Sequence, residues 1–153
     1  LSLRGVLQKV IVLRRSACRS LGIDVERNYG DDVPRVLGDP LLLHQVFLNM
    51  FTNAEQAIAA TGKPGRIEIS ALTSGGNVTI AIRDTGPGIP AEVLPRMFEP
   101  FYTTKEVGQG TGLGLAIAYG IVHDHGGRIT AGNHPDGGAV ISVELPAAPV
   151  HSA

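Results

Sequence analysis

Several large classes of protein leave marks that this chain lacks. It has one cysteine, Cys18, so no disulfide can close within it. Cys18 falls on the apolar stripe of a helical run and reads as a small core residue. No apolar stretch approaches the ~20 residues of a membrane span. The first residues read as an amphipathic helix and not as a signal peptide. Thirteen basic residues face fourteen acidic ones, a net charge of -1, so no electrostatic case arises for nucleic acid or an anionic membrane. There is no G-x-x-x-x-G-K-S/T phosphate loop, and no G-x-G-x-x-G between a strand and a helix. No internal repeat or domain boundary is visible. What is present is ordinary globular composition, 43% hydrophobic and 18% charged over 153 residues, enough for one domain with a real core. A cytoplasmic domain is the expectation.

Twenty glycines stand out because they cluster, at 108–114, 126–127, 137–138 and in the pair Gly86/Gly88. Clusters mark local demands on the backbone. Leu3, Val6, Leu7, Val10, Ile11, Ala17, Cys18 and Leu21 recur at helical spacing and stop at Gly22. Ile23, Val25 and Arg27 alternate as a short strand. Asp39-Pro40 supplies a capping carboxylate and a proline at the first helical position, predicting a helix to about Ala60. Ile67, Ile69 and Ala71, then Val78, Ile80 and Ile82, alternate on either side of the turn Ser74-Gly75-Gly76-Asn77. Residues 86–111 form a long irregular connection, a kind of loop that is usually functional or mobile. A helix is predicted from about Thr111 to His125, then a last hairpin over Arg128–Ala131 and Val140–Leu145. The tail 147–153 reads as disordered. The order α-β-α-β-β-loop-α-β-β, with one-sided helices and strands, predicts an α/β fold in two layers: three helices on one face of a mixed sheet of about five strands.

Three separated motifs carry chemistry. Asn49 and Asn53 lie four apart on a helix and share a face. Neutral amide oxygens suit Mg²⁺, which also takes phosphate oxygens and waters. Asp84 ends a strand and precedes Thr85-Gly86-Pro87-Gly88. A carboxylate at the floor of a pocket accepts a hydrogen bond from the adenine amine and rejects guanine, which has a carbonyl there. Gly110-Thr111-Gly112-Leu113-Gly114-Leu115 places glycines at alternate positions as a helix opens, so that backbone N–H groups and the helix dipole can meet an anion. Taken singly, each has a plain structural alternative: local amide bonding, a tight turn, a glycine hinge.

In this order the motifs resemble the catalytic, ATP-binding domain of sensor histidine kinases, in the superfamily that also includes gyrase, the ninety-kilodalton heat-shock chaperone and MutL. Residues 44–54 resemble the family's N box, Asp84 to Gly88 its first glycine box, residues 97–105 the F box of nitrogen-sensor-like kinases, and Gly108 to Leu115 its second glycine box. The resemblance covers residues 1–146 and implies a Bergerat-type sandwich with an ATP lid at about 86–111. It implies Asn53 as Mg²⁺ ligand and Asn49 near the phosphates, these two and Lys105 being the catalytic residues. Asp84 would hold the adenine amine, with Gly86 and Gly88 shaping that wall, and Ile89 would belong to the ATP site. Gln56, Thr103, Thr104, Lys105, Gly110, Thr111, Gly112, Leu113, Gly114 and Leu115 would line the rest of the ATP site. Phe98 and Phe101 would anchor the lid.

Two departures from the family pattern matter. Gly137-Gly138 is followed by Ala139 where the family often has threonine. No histidine sits in a phosphoacceptor motif; His123 and His125 read as caps at a helix end. The resemblance therefore implies γ-phosphate transfer from Mg-ATP to a histidine on a separate helical hairpin, then to a response regulator. Nucleic acid is not an expected partner. An isolated monomer and a homodimeric parent, membrane-anchored or not, are expected. In the ATPase members a glutamate stands four residues before the metal asparagine. Here that position is Asn49, which cannot take a proton from water. An ATP-driven switch and a nucleotide-free interaction module are the alternatives.

Overall fold

The computed structural model describes residues 1–30, 32–99 and 114–148. Helix α1, Leu3–Leu21, opens on the Ser2 hydroxyl, which accepts the Gly5 N–H at 3.2 Å, and ends at Gly22 in the left-handed region. Strand β1 is Ile23–Asn28. Helix α2, Pro40–Ala59, starts as its sequence dictates. Asp39 caps it, accepting N–H bonds from Leu41 (2.8 Å) and Leu42 (3.3 Å), and Pro40 occupies the first turn. Helix α3, Gly114–Asp124, lies on the other side of α2 from α1. The central place of α2 explains its apolar character: Leu43, Val46, Phe47, Met50, Phe51, Ala54 and Ile58 are all buried. Each of these side chains except Ala54 contributes roughly 1.5–3 kcal/mol by leaving water.

The sheet has five strands. β2 is Gly65–Ser74, β3 Asn77–Asp84, β4 Arg128–Asn133 and β5 Ala139–Pro146. Their order is β1-β2-β3-β5-β4, with β1 parallel to β2 and the other neighbours antiparallel. Alternation puts Ile67 and Ile69, Val78, Ile80 and Ile82, and Ile141, Val143 and Leu145 on the helix side. Asp84 is the next member of the inward row 78-80-82-84. The same period that builds the core delivers a carboxylate to its rim. On the outer face, Glu26–Arg66 (3.4 Å), Arg66–Glu68 (3.1 Å) and Arg83–Glu68 (3.3 Å) form a charged ladder across three strands, which keeps this face solvated. The fold is thus the expected two-layer α/β sandwich.

Two local readings change. The stretch read as irregular contains a short 3-10 helix, Leu94–Arg96, because Pro90 turns the chain and accepts N–H bonds from Val93 (2.9 Å) and Leu94 (3.2 Å). The tail is held at its start: Ala147 bridges Val36 and donates its N–H to the Gly76 carbonyl at 2.9 Å, and Ala148 donates to Arg35. Backbone pairing outweighs the low-complexity look of those two residues, while 149–153 lie outside the described residues. The predicted start of α3 at Thr111 also lies outside them. His125 does cap α3. Its Nδ1 meets the Ile121 carbonyl at 2.8 Å, and its Nε2 accepts the Asp39 N–H at 3.1 Å, so the proton belongs on Nδ1 and the ring joins α3 to the start of α2.

Candidate nucleotide site

Asp84 is the best-defined member. It is 3% exposed. Its Oδ1 accepts the Gly86 N–H at 2.8 Å and, more weakly, the Ala139 N–H at 3.4 Å. Among the described residues its other oxygen accepts no hydrogen bond. Burial pushes the carboxyl above the usual range, and the Gly86 and Ala139 N–H groups and the Arg83 charge oppose that shift. Gly138 makes the second contact possible. Its φ is +83°, and a Cβ there would run into the Asp84 carbonyl oxygen. Ala139 thus contacts Asp84 through its backbone N–H.

The asparagines lie where α2 meets α3. Asn49 donates through Nδ2 to the Gly114 carbonyl at 2.8 Å, and its Oδ1 accepts from Gln45 Nε2 at 2.7 Å. Gln45 was not among the expected residues, although its i, i+4 spacing from Asn49 was a usable signal. Asn49 therefore ties α2 to the last glycine of the glycine-rich run. Asn53 is half-buried one turn further along that face, and Gln56 is exposed. Leu115 is partly buried against the core.

Beyond Asp84 the chain leaves the sheet at Gly88, whose φ is +85°. Ile89 packs partly into the core, and its backbone is gripped by Asn133. Asn133 is not among the expected site residues. Phe98 packs against the core and lies with its ring centroid 5.9 Å from that of Tyr119 on α3. Met97 beside it is buried. Phe101, Thr103, Thr104, Lys105, Gly110, Thr111, Gly112 and Leu113 lie outside the described residues.

Glu55, the other acidic residue near Asn53, faces away. Arg14 on α1 grips it twice, Nε to Oε2 at 2.9 Å and Nη2 to Oε1 at 2.5 Å. The bond to Glu55 raises the Arg14 guanidinium further. A carboxylate so engaged is not a base for water.

Residues 38–149 match the family described as histidine kinase-, DNA gyrase B-, and HSP90-like ATPase. The chain belongs to this family. It is 40% identical over 136 residues to the sensor histidine kinase ZraS of Escherichia coli O157:H7, covering 89% of this chain and 28% of that protein. The nucleotide-free catalytic domain of histidine kinase ThkA superposes with a TM-score of 0.82 at 36% identity, covering 96% of this chain and 93% of that one. Full-length ShkA in complex with AMPPNP gives 0.84 at 29% identity, covering 99% of this chain and 31% of that one. ThkA has also been solved with the response regulator protein TrrA. The chain spans about a quarter of the length of the curated relatives it matches. It is the ATP-binding catalytic domain of a sensor histidine kinase. No helix among the described residues is long and apolar enough to cross a membrane.

Proposed function

We propose that this domain binds Mg-ATP and transfers its γ-phosphate to a histidine on a separate helical-hairpin domain of the same kinase. The observation that carries this reading is Asp84, a buried carboxylate with one oxygen held by backbone N–H groups and the other without a partner among the described residues, where a base amine would bind. In the transfer, the bond from the γ-phosphorus to the bridging oxygen breaks and a phosphorus–nitrogen bond forms. ADP leaves, and the imidazole gives up a proton. The domain's part is positioning and charge neutralisation.

The donor set fits a magnesium ion held largely by phosphates and water. Among the described residues no group of three His, Cys, Asp or Glu side chains could hold a metal on its own, whereas Asn53 offers a neutral amide oxygen. When bound, the ion would neutralise phosphate charge. Asn53 would hold it, while Asn49 would keep the glycine-rich run against α2. Lys105, Thr103, Thr104 and the glycines at 110, 112 and 114 would supply further phosphate contacts, in a lid at about 86–111 and at its base. With Asn49 in the position of the ATPase glutamate and Glu55 bound to Arg14, attack by water should be slow. The phosphohistidine would then serve a response regulator, as the ThkA–TrrA complex suggests by analogy. ATP use favours a cytoplasmic location; the isolated domain would be a monomer and its parent a homodimer.

Calorimetric titration with ADP and a non-hydrolysable ATP analogue, with and without Mg²⁺, tests the reading. Saturable, magnesium-sensitive binding is expected. Asn53→Ala should remove most of the magnesium-dependent gain, about tenfold in affinity. No binding at millimolar nucleotide would overturn the reading.

A further inference from the structure

We propose that Asn133 is a positioning residue for nucleotide binding, whose carboxamide sets the backbone at Ile89 and with it the wall of the adenine subsite. The inference rests on the function proposed above. Asn133 is the last residue of edge strand β4, 44 residues away in sequence from Ile89. Its Oδ1 accepts the Ile89 N–H at 2.6 Å, and its Nδ2 donates to the Ile89 carbonyl at 2.8 Å. One side chain thus gives Ile89 the two-way pairing that a neighbouring strand would give. Pro87 and Pro90 have no N–H, so the Ile89 N–H is one of few donors by which this segment can be fixed. The fit is close. A Cβ on Gly88 would come within 2.9 Å of Asn133 Oδ1.

The same hairpin holds the segment at its other end. Ala139 at the start of β5 donates to Asp84, and Arg83 donates to the Gly137 carbonyl at 3.1 Å. Residues 84–89 are therefore clamped at Asp84 by β5 and at Ile89 by β4. Asp84 faces its ligand correctly only if both clamps hold. A carboxamide carries donor and acceptor in one plane, which neither serine nor a carboxylate offers.

The test is ADP titration of the chain and of Asn133→Ala, Asn133→Ser and Asn133→Asp, with exchange of the Ile89 amide proton followed by NMR without nucleotide. Asn133→Ala should weaken ADP about tenfold and speed Ile89 exchange by a similar factor. Asn133→Ser, which can replace only one bond, should fall between. Asn133→Asp should be weakest near neutral pH, with a carboxylate facing a carbonyl. Relative to Asn133→Ala at the same pH, it should regain affinity as its carboxyl protonates and donates. Asn133→Ala binding ADP within about twofold of the parent, while the parent binds normally, would overturn the proposal. Failure of the parent itself to bind would instead overturn the nucleotide reading, and this role with it.

Discussion

Glu55 and Asp84 are each 3% exposed, yet their surroundings differ in every other respect. Glu55 has a counter-ion, Arg14, bonded to both of its oxygens. Among the described residues Asp84 has no side chain bonded to it, only two backbone N–H groups on one oxygen. A buried charge without full compensation is costly, and a fold keeps one where something else is meant to complete it. The pair Arg14–Glu55 completes itself and locks α1 to α2. Burial raises Asp84 above the usual carboxylate range, and no counter-ion bonded to it among the described residues offsets that cost.

The contrast can be broken most strongly at Asp84. Asp84→Asn should weaken ADP about a hundredfold, since a charged hydrogen bond is lost and an amide N–H faces the base amine. The same variant should be more stable than the parent without nucleotide. A carboxyl raised in the folded chain binds its proton more tightly there than when unfolded, so its stabilisation is present at low pH and is lost as pH rises through the raised value. Urea unfolding near neutral pH should show the gain, and it should close below the usual carboxylate range. A parent more stable than Asp84→Asn at neutral pH would remove the distinction between the two carboxylates.

Arg14→Met should do the reverse. It strands the Glu55 charge and should cost about 2 kcal/mol by chemical denaturation, discounted because the Arg14 side chain is 33% exposed. ADP affinity should be unchanged where the fold persists. The smallest effect concerns Cys18, whose Sγ lies 3.9 Å from Glu55 Oε2. Burial, with the Glu55 charge next, pushes this thiol up to about 11. Iodoacetamide should leave it unmodified in the native chain and label it on unfolding, as read by mass spectrometry.

The fold was legible wherever local periodicity and punctuation carried it. Asp39-Pro40 marked the start of α2, Gly22 the end of α1, and the alternation of residues 78–84 placed Asp84 on the core side of β3. The relation of Asn49 to Asn53 followed from helical spacing alone. The partners of these residues were not legible, because they arrive from afar. Arg14 reaches Glu55 across 41 residues, Asn49 reaches Gly114 across 65, and Asn133 reaches Ile89 across 44. Before the strand order is known, Asn133 is a polar residue beside a turn, and nothing local distinguishes it. The short 3-10 helix Leu94–Arg96 was hidden for a different reason: three residues are too few to express a period.

The adjacency of β3 and β5 has a consequence in time as well as in space. These strands pair, Arg83 opposite Val140, only after the whole segment 85–138 has been closed into a loop. Such closure loses chain entropy before its contacts repay it, so the pairing belongs to the later part of folding. Asp84, Ala139, Ile89 and Asn133 all stand at this late seam. A nucleotide spanning it would slow unfolding far more than it would hasten folding. For such a domain, the lifetime of the folded chain would rise and fall with the cell's supply of adenine nucleotide.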